Sequence, residues 1–211
     1  MSDQAATPGY GFDQDTPDQL GTAPIPVGIH SNVKLIDVAY EPAKEGSDNY
    51  CLSFYFEDSE GRQLRHWEWP IDPEEVKKRA NQDGKDPNKA VQKKIQAQGV
   101  RIKHIVTKII PKDRAVVPKV QSFKEYAQAV INLIKGALPK GPLHLKVLLS
   151  NKKYSTLPNY TPFVEIQEEG KPTSLKITPD EQKEMNKTSG NSGKLEMPGD
   201  NKEFGEEDVP F

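Results

Sequence analysis

Two strand-like segments of this chain carry side chains whose types and spacing suit ligand binding. Over residues 62–69, period-two alternation puts Arg65, Trp67 and Trp69 on one side and Leu64, His66 and Glu68 on the other. Over residues 50–57 it puts Leu52, Phe54 and Phe56 on one side and Ser53 and Tyr55 on the other. An exposed ring stacks an unpaired base for about 1–3 kcal/mol whatever the sequence, and a neighbouring guanidinium neutralises a phosphate. Tyr55, Arg65, Trp67 and Trp69 together therefore make a candidate surface for single-stranded nucleic acid. The competing expectation is a core: a strand's two tryptophans usually pack inside, and the face made by Leu64, His66 and Glu68 is too polar to be an obvious core face.

A second mixture of cations and rings lies at residues 151–160, where Lys152 and Lys153 adjoin Tyr154 and precede Tyr160. Lys146, on the polar side of the strand before it, joins that candidate set. As an ordinary loop the segment would also carry its Asn, Ser and Pro. Lys77, Lys78, Arg79, Lys89, Lys93, Lys94, Arg101 and Lys103 extend a basic surface along predicted helices, but such lysines are equally a solvated helix face and receive no individual role.

Catalytic chemistry finds little support. His30, His66, His104 and His144 fall on different predicted elements, and no glycine-rich loop with a following lysine succeeds a strand. Cys51 alternates with the apolar residues of its strand and reads as a packed small side chain. With one cysteine, no internal disulfide and no cysteine–histidine zinc site is expected. Asp72, Glu74 and Glu75 resemble metal carboxylates in type, yet their place in a helix's first turn has a simpler account through capping and the helix dipole. The expectation is a protein that is not an enzyme and holds no metal or cofactor.

The elements that must position these residues follow from periodicity. Residues 27–40, 50–57 and 62–69 read as three antiparallel strands, with Asp58-Ser59-Glu60-Gly61 as a hairpin turn and Pro70 as a stop. A helical block spans residues 72–138: a helix opened by Asp72-Pro73-Glu74-Glu75 and ended near Gly84, an amphipathic stripe over residues 87–110, and a helix begun by a Ser122…Glu125 capping box. Residues 143–149 alternate as a fourth strand. Phe163, Val164 and Ile166 begin a fifth, which Leu175 and Ile177 extend. The order β-β-β-α-β-β predicts an all-β core with a helical insertion, a five-stranded OB-fold-like barrel whose exposed face suits oligonucleotides.

The chain has 211 residues, with 29 Lys plus Arg against 31 Asp plus Glu. That near-balance hides a division. Residues 1–24 sum to −4, residues 178–211 to −5, and the remainder therefore to +7. A basic body between acidic ends points to a polyanionic partner for the body. Both ends are poor in large apolar residues and read as disordered, which leaves residues 25–177 as the folded domain. No apolar run reaches the roughly 18 residues that span a bilayer, and the first twenty residues are acidic and polar, so a cytoplasmic protein without a membrane partner is expected.

The last residues, Glu206, Glu207, Asp208, Val209, Pro210 and Phe211, place an acidic run before an aliphatic residue, a proline and a phenylalanine. This resembles the C-terminal tip of single-stranded DNA-binding proteins of bacteria and their phages. The resemblance covers the tip closely and the remainder in architecture only. It implies an OB-fold that coats single strands in replication, recombination or repair, and a tip that recruits partner proteins. In this chain Phe211 would enter an apolar pocket of a partner, while its carboxylate and the three acids meet basic residues there. The longer body, the several helices and the short linker, rich in Lys and Glu, point to a phage-encoded or divergent member. Two further readings remain open: a phage structural or assembly protein with acidic interaction tails, and a recombination protein that anneals strands.

Overall fold

Alternating apolar residues fold the first part of the chain into an antiparallel meander of β1 (Gly28–Pro42), β2 (Tyr50–Glu57) and β3 (Gln63–Glu68). The computed structural model describes residues 23–44, 46–150 and 154–183. The turn between β2 and β3 is built as its sequence dictates. Asp58 accepts hydrogen bonds from the amides of Glu60 (2.9 Å) and Arg62 (3.0 Å), and Gly61 takes a φ of 75° that a side chain would resist. Register then follows, with Tyr55 opposite Arg65, Phe54 opposite His66 and Ser53 opposite Trp67. A bulge between Leu35 and Asp37 in β1 lets Leu35 and Val38 both point inward.

Three helices follow. α1 (Pro73–Gln82) and α2 (Pro87–Ile109) each begin with an Asp cap and a proline, the caps being Asp72 and Asp86. The Asp72 carboxylate receives the amides of Glu74 (2.9 Å) and Glu75 (3.3 Å) as a helix cap, and the Glu74 and Glu75 carboxylates pair with Lys77 and Arg79. α3 (Phe123–Ile134) starts with the complete Ser122–Glu125 capping box and runs into a short 3-10 turn (Lys135–Ala137). The C-terminal half of α2, through Ile102, Ile105 and Ile109, and α3, through Val130 and Ile134, close the sheet's inner side over Phe54, Phe56 and Leu145. Among the described residues no helix is long and apolar enough to cross a membrane.

The sheet is completed by β4 (Lys140–Leu149), β5 (Ser155–Thr156) and β6 (Val164–Ile166). It is an antiparallel open sheet of six strands in the order β3-β2-β1-β4-β5, with β6 also paired to β4. Two expectations are corrected here. The connection at residues 151–160 contributes a short strand of its own, so there are six strands rather than five. The last strand ends at Ile166, because the Glu165 carboxylate turns the chain back by accepting from Thr173 Oγ1 (2.7 Å) and the Ser174 amide (2.9 Å); Leu175 is buried without being in a strand. β3 and β5 come into contact, but no ladder joins them among the described residues. The free edge of β3 instead binds the start of the body, with Ile25 N donating to Gln63 O (3.1 Å) and Gln63 N to Ala23 O (2.9 Å).

Two polar contacts tie the helices to the sheet. Glu68, 2% exposed, receives Arg101 Nε and Nη2, each at 2.7 Å, and Gln98 Nε2 at 3.2 Å, while His66 Nε2 lies 3.3 Å away. Burial raises the carboxyl pKa, but the hydrogen bonds and charges of His66 and Arg101 outweigh it and bring it down to about 2. His104 Nε2 accepts the amides of Phe163 (3.2 Å) and Val164 (3.3 Å), and burial, with Lys108 nearby, pushes its pKa down to about 4.

Both groups make acid destabilising. The unfolded chain protonates His104 near its ordinary 6.5 and Glu68 near 4.5, before the folded chain does, so each contribution is present above the unfolded pKa and is lost towards the folded one. Urea midpoints are expected to fall between pH 6.5 and 4 and again between 4.5 and 2. His104→Gln should flatten the first fall. Glu68→Gln should flatten the second and cost about 3 kcal/mol at pH 7 by leaving Arg101 unpaired. A midpoint independent of pH from 7 to 4 contradicts the assignment for His104.

Candidate nucleic-acid interface

Because Leu64, His66 and Glu68 are buried, the intervening Arg65 and Trp67 must lie on the opposite side of β3, with Trp69 just beyond its end. The polar face is therefore the inner one, and the aromatic face is turned away from the core. The sequence could not decide this, since the partner that makes Glu68 tolerable inside, Arg101, lies 33 residues further along the chain.

On that outer side Tyr55, Arg65 and Trp67 form one unit. The Arg65 guanidinium carbon sits 5.5 Å from the Tyr55 ring centre and 5.2 Å from that of Trp67, within cation–π range. Beneath it, Ser53 Oγ accepts from Arg65 Nε and Nη2, each at 3.2 Å. Glu41 of β1 receives Arg65 Nη2 at 2.9 Å and also the Tyr55 hydroxyl. Burial and this bond to Glu41 push the Tyr55 hydroxyl pKa well up, so it remains a donor at physiological pH. The arrangement is a cation between two half-buried rings, held by a single carboxylate. A phosphate has the same acceptor chemistry that Glu41 offers Arg65 and Tyr55.

The remaining sequence candidates divide. Trp69 is half-buried, and its carbonyl accepts from Gln98 Nε2 at 2.7 Å, which fixes it to α2. Tyr154 is half-buried, and its carbonyl accepts from Ser150 N (2.9 Å). Tyr160 is 84% exposed, as a stacking residue requires. Lys146 is corrected: it is 5% exposed, and its ammonium donates to Glu181 (2.8 Å) and to the Lys176 carbonyl (3.2 Å), so it presents no surface charge. The chain that follows β6 covers this side of β4, which no reading of β4 alone reveals. Lys152 and Lys153, the acidic N-terminal segment to residue 22, and the tip residues 206–211 lie outside the described residues. Glu41 was missed by sequence reasoning because its role depends on cross-strand register, where it faces Cys51. Cys51 is fully buried, and burial pushes its thiol pKa up. Scans against protein-family models, curated proteins and solved structures return no match to this chain.

Trp67 carries one anomaly, a buried Nε1–H with no acceptor among the described residues. An unmatched buried donor costs about 1–3 kcal/mol. Trp67→Phe keeps a ring over Arg65 and removes that donor, so urea denaturation should show it no less stable than the parent chain. Trp67→Ala, which uncovers Arg65 and Ser53, should be less stable by about 2 kcal/mol or more. A loss above about 1 kcal/mol in the phenylalanine variant contradicts the unmatched donor.

Proposed function

We propose that this chain is a non-enzymatic, sequence-tolerant single-stranded DNA-binding protein that coats exposed strands in replication, recombination or repair and recruits other proteins through its C-terminal tip. The observation that carries the reading is the Tyr55–Arg65–Trp67 unit on the outer side of β2 and β3, the part of an OB-fold that binds oligonucleotides. In this reading the sheet is a partly open barrel. Its strand order and the contact between β3 and β5 support that description. Bases stack on Tyr55, Trp67 and the exposed Tyr160, with Trp69 and Tyr154 at the margins, while Arg65, Lys152 and Lys153 meet phosphates. Lys146 has no part in it. A net charge of +7 over residues 25–177 supplies the long-range attraction, and the acids at residues 206–208 compete for the same cations until DNA displaces them. The site of action is the cytoplasm of a bacterial or phage-infected cell.

The test compares labelled oligo-dT with duplex of equal length by mobility shift across salt. With about five phosphates neutralised, log affinity should fall with log salt at a slope near −3.5, since each single-strand contact contributes roughly −0.7. Trp67→Ala and Tyr55→Ala should each weaken binding by about 1–3 kcal/mol. Glu41→Gln should tighten it, because the phosphate no longer displaces a charged competitor. Removal of residues 200–211 should strengthen binding at low salt and abolish capture of replication proteins. Equal affinity for duplex and single strand, or a flat salt response, rejects the reading.

A further inference from the structure

A groove of about 240 Å³ beside α2 is lined by Gly99, Lys103, Val116 and Tyr126, and its lining also includes Ile102 and Val106, which are only 1% and 2% exposed. Gly99 leaves the wall low: a Cβ built there meets no atom within 4 Å. Ile95, one turn earlier on the same stripe, is 53% exposed and Val116 is 68% exposed, so the apolar strip continues to the surface. The volume lies below the roughly 300–1,000 Å³ of small-molecule sites, which suits one or two side chains of a peptide better than a metabolite.

The surroundings are cationic. Between residues 99 and 124 the chain has seven basic residues and one acid, Asp113. Lys103, Arg114 and Lys119 are exposed, and none is in an ion pair among the described residues. Glu125, the next acid, is engaged by the amides of Gln121 (3.1 Å) and Ser122 (3.3 Å). An apolar groove with such an edge selects an acidic peptide that carries a large apolar side chain.

Residues 203–211 of this chain have that chemistry: four acids, no base, and two phenylalanines, Phe204 and Phe211. They begin 20 residues after Lys183, and those 20 residues span up to about 65–70 Å when extended, more than the diameter expected of a body of this size. We infer that the groove between α2 and Val116 receives the chain's own residues 203–211, a phenylalanine ring entering between Gly99 and Val116 and the acids lying against Lys103, Arg114 and Lys119. This deepens the role proposed for the tail by adding a docked state, separate from the one in which its acids compete with DNA at Arg65, that withholds the tip from partners. It does not rest on DNA being the body's ligand.

The test is methyl NMR of the full chain without DNA, against a Phe204→Ala/Phe211→Ala double variant that leaves the body's sequence untouched. The Ile102, Val106 and Val116 signals are expected to differ between the two. Excess peptide of residues 203–211 should return the double variant to the parent positions, and 1 M salt, with its Debye length of about 3 Å, should weaken that return. Gly99→Leu, which fills the groove and favours the helix, should abolish it. Identical methyl spectra for the parent chain and the double variant overturn the inference whatever DNA binding shows, as does a difference that grows with protein concentration, which assigns the groove to a second copy.

Discussion

A buried carboxylate decides which way β3 faces. With a side-chain period of two, every residue of the strand is turned by the choice made for one of them, and Glu68 is the residue whose burial costs most. It lies inside because α2 delivers Arg101 as a two-pronged partner at 2.7 Å and Gln98 behind it. An ion pair of this kind adds little net stability over an apolar substitute, but a single partner left alone is strongly unfavourable, so the pair acts chiefly as an orientation device. With Glu68 inside, Leu64 and His66 follow it, and Arg65 and Trp67 are sent to the other side. The helical insertion thus sets which residues of β3 form the outer face.

That outer face is complete in itself. Arg65 is stacked by Tyr55 and Trp67, seated on Ser53 and neutralised by Glu41. The groups are already in place before any ligand arrives, so little side-chain ordering remains to oppose binding. Under the proposed function, affinity for a phosphate would be a difference, the interaction with the phosphate less that with Glu41. Lys146 shows the opposite arrangement on β4: its charge is paired to Glu181 and covered, and it belongs to the attachment of residues 167–183 rather than to a binding surface.

Local signals were legible and long-range ones were not. The three helices, the Asp72 and Ser122 caps and the hairpin at Asp58–Gly61 follow from residues within a few positions of one another, and they stand close to where the sequence puts them; the Asp86 cap of α2 was not singled out. The alternation on β2 and β3 was also plain, but which face turns inward was not, because Arg101 enters from another element. Residues 155–156 were read as loop, since a two-residue strand leaves no periodicity to detect. The extension of the last strand through Leu175 and Ile177 failed for a different reason: Glu165 holds a turn after Ile166, and the segment that follows meets β4 through the Lys176 carbonyl and Lys146 rather than through a ladder. Lys146 looked like a surface cation for want of any sign that Glu181 would reach it.

The central claim is that the stacked face of β2 and β3 takes unpaired bases, and Trp67 itself reports on it. In a full chain carrying Trp69→Phe, so that Trp67 is the sole emitter, titration with oligo-dT should quench the emission saturably, and duplex of the same length should leave it nearly unchanged. An emission from Trp67 that stays constant while the oligonucleotide binds contradicts the account.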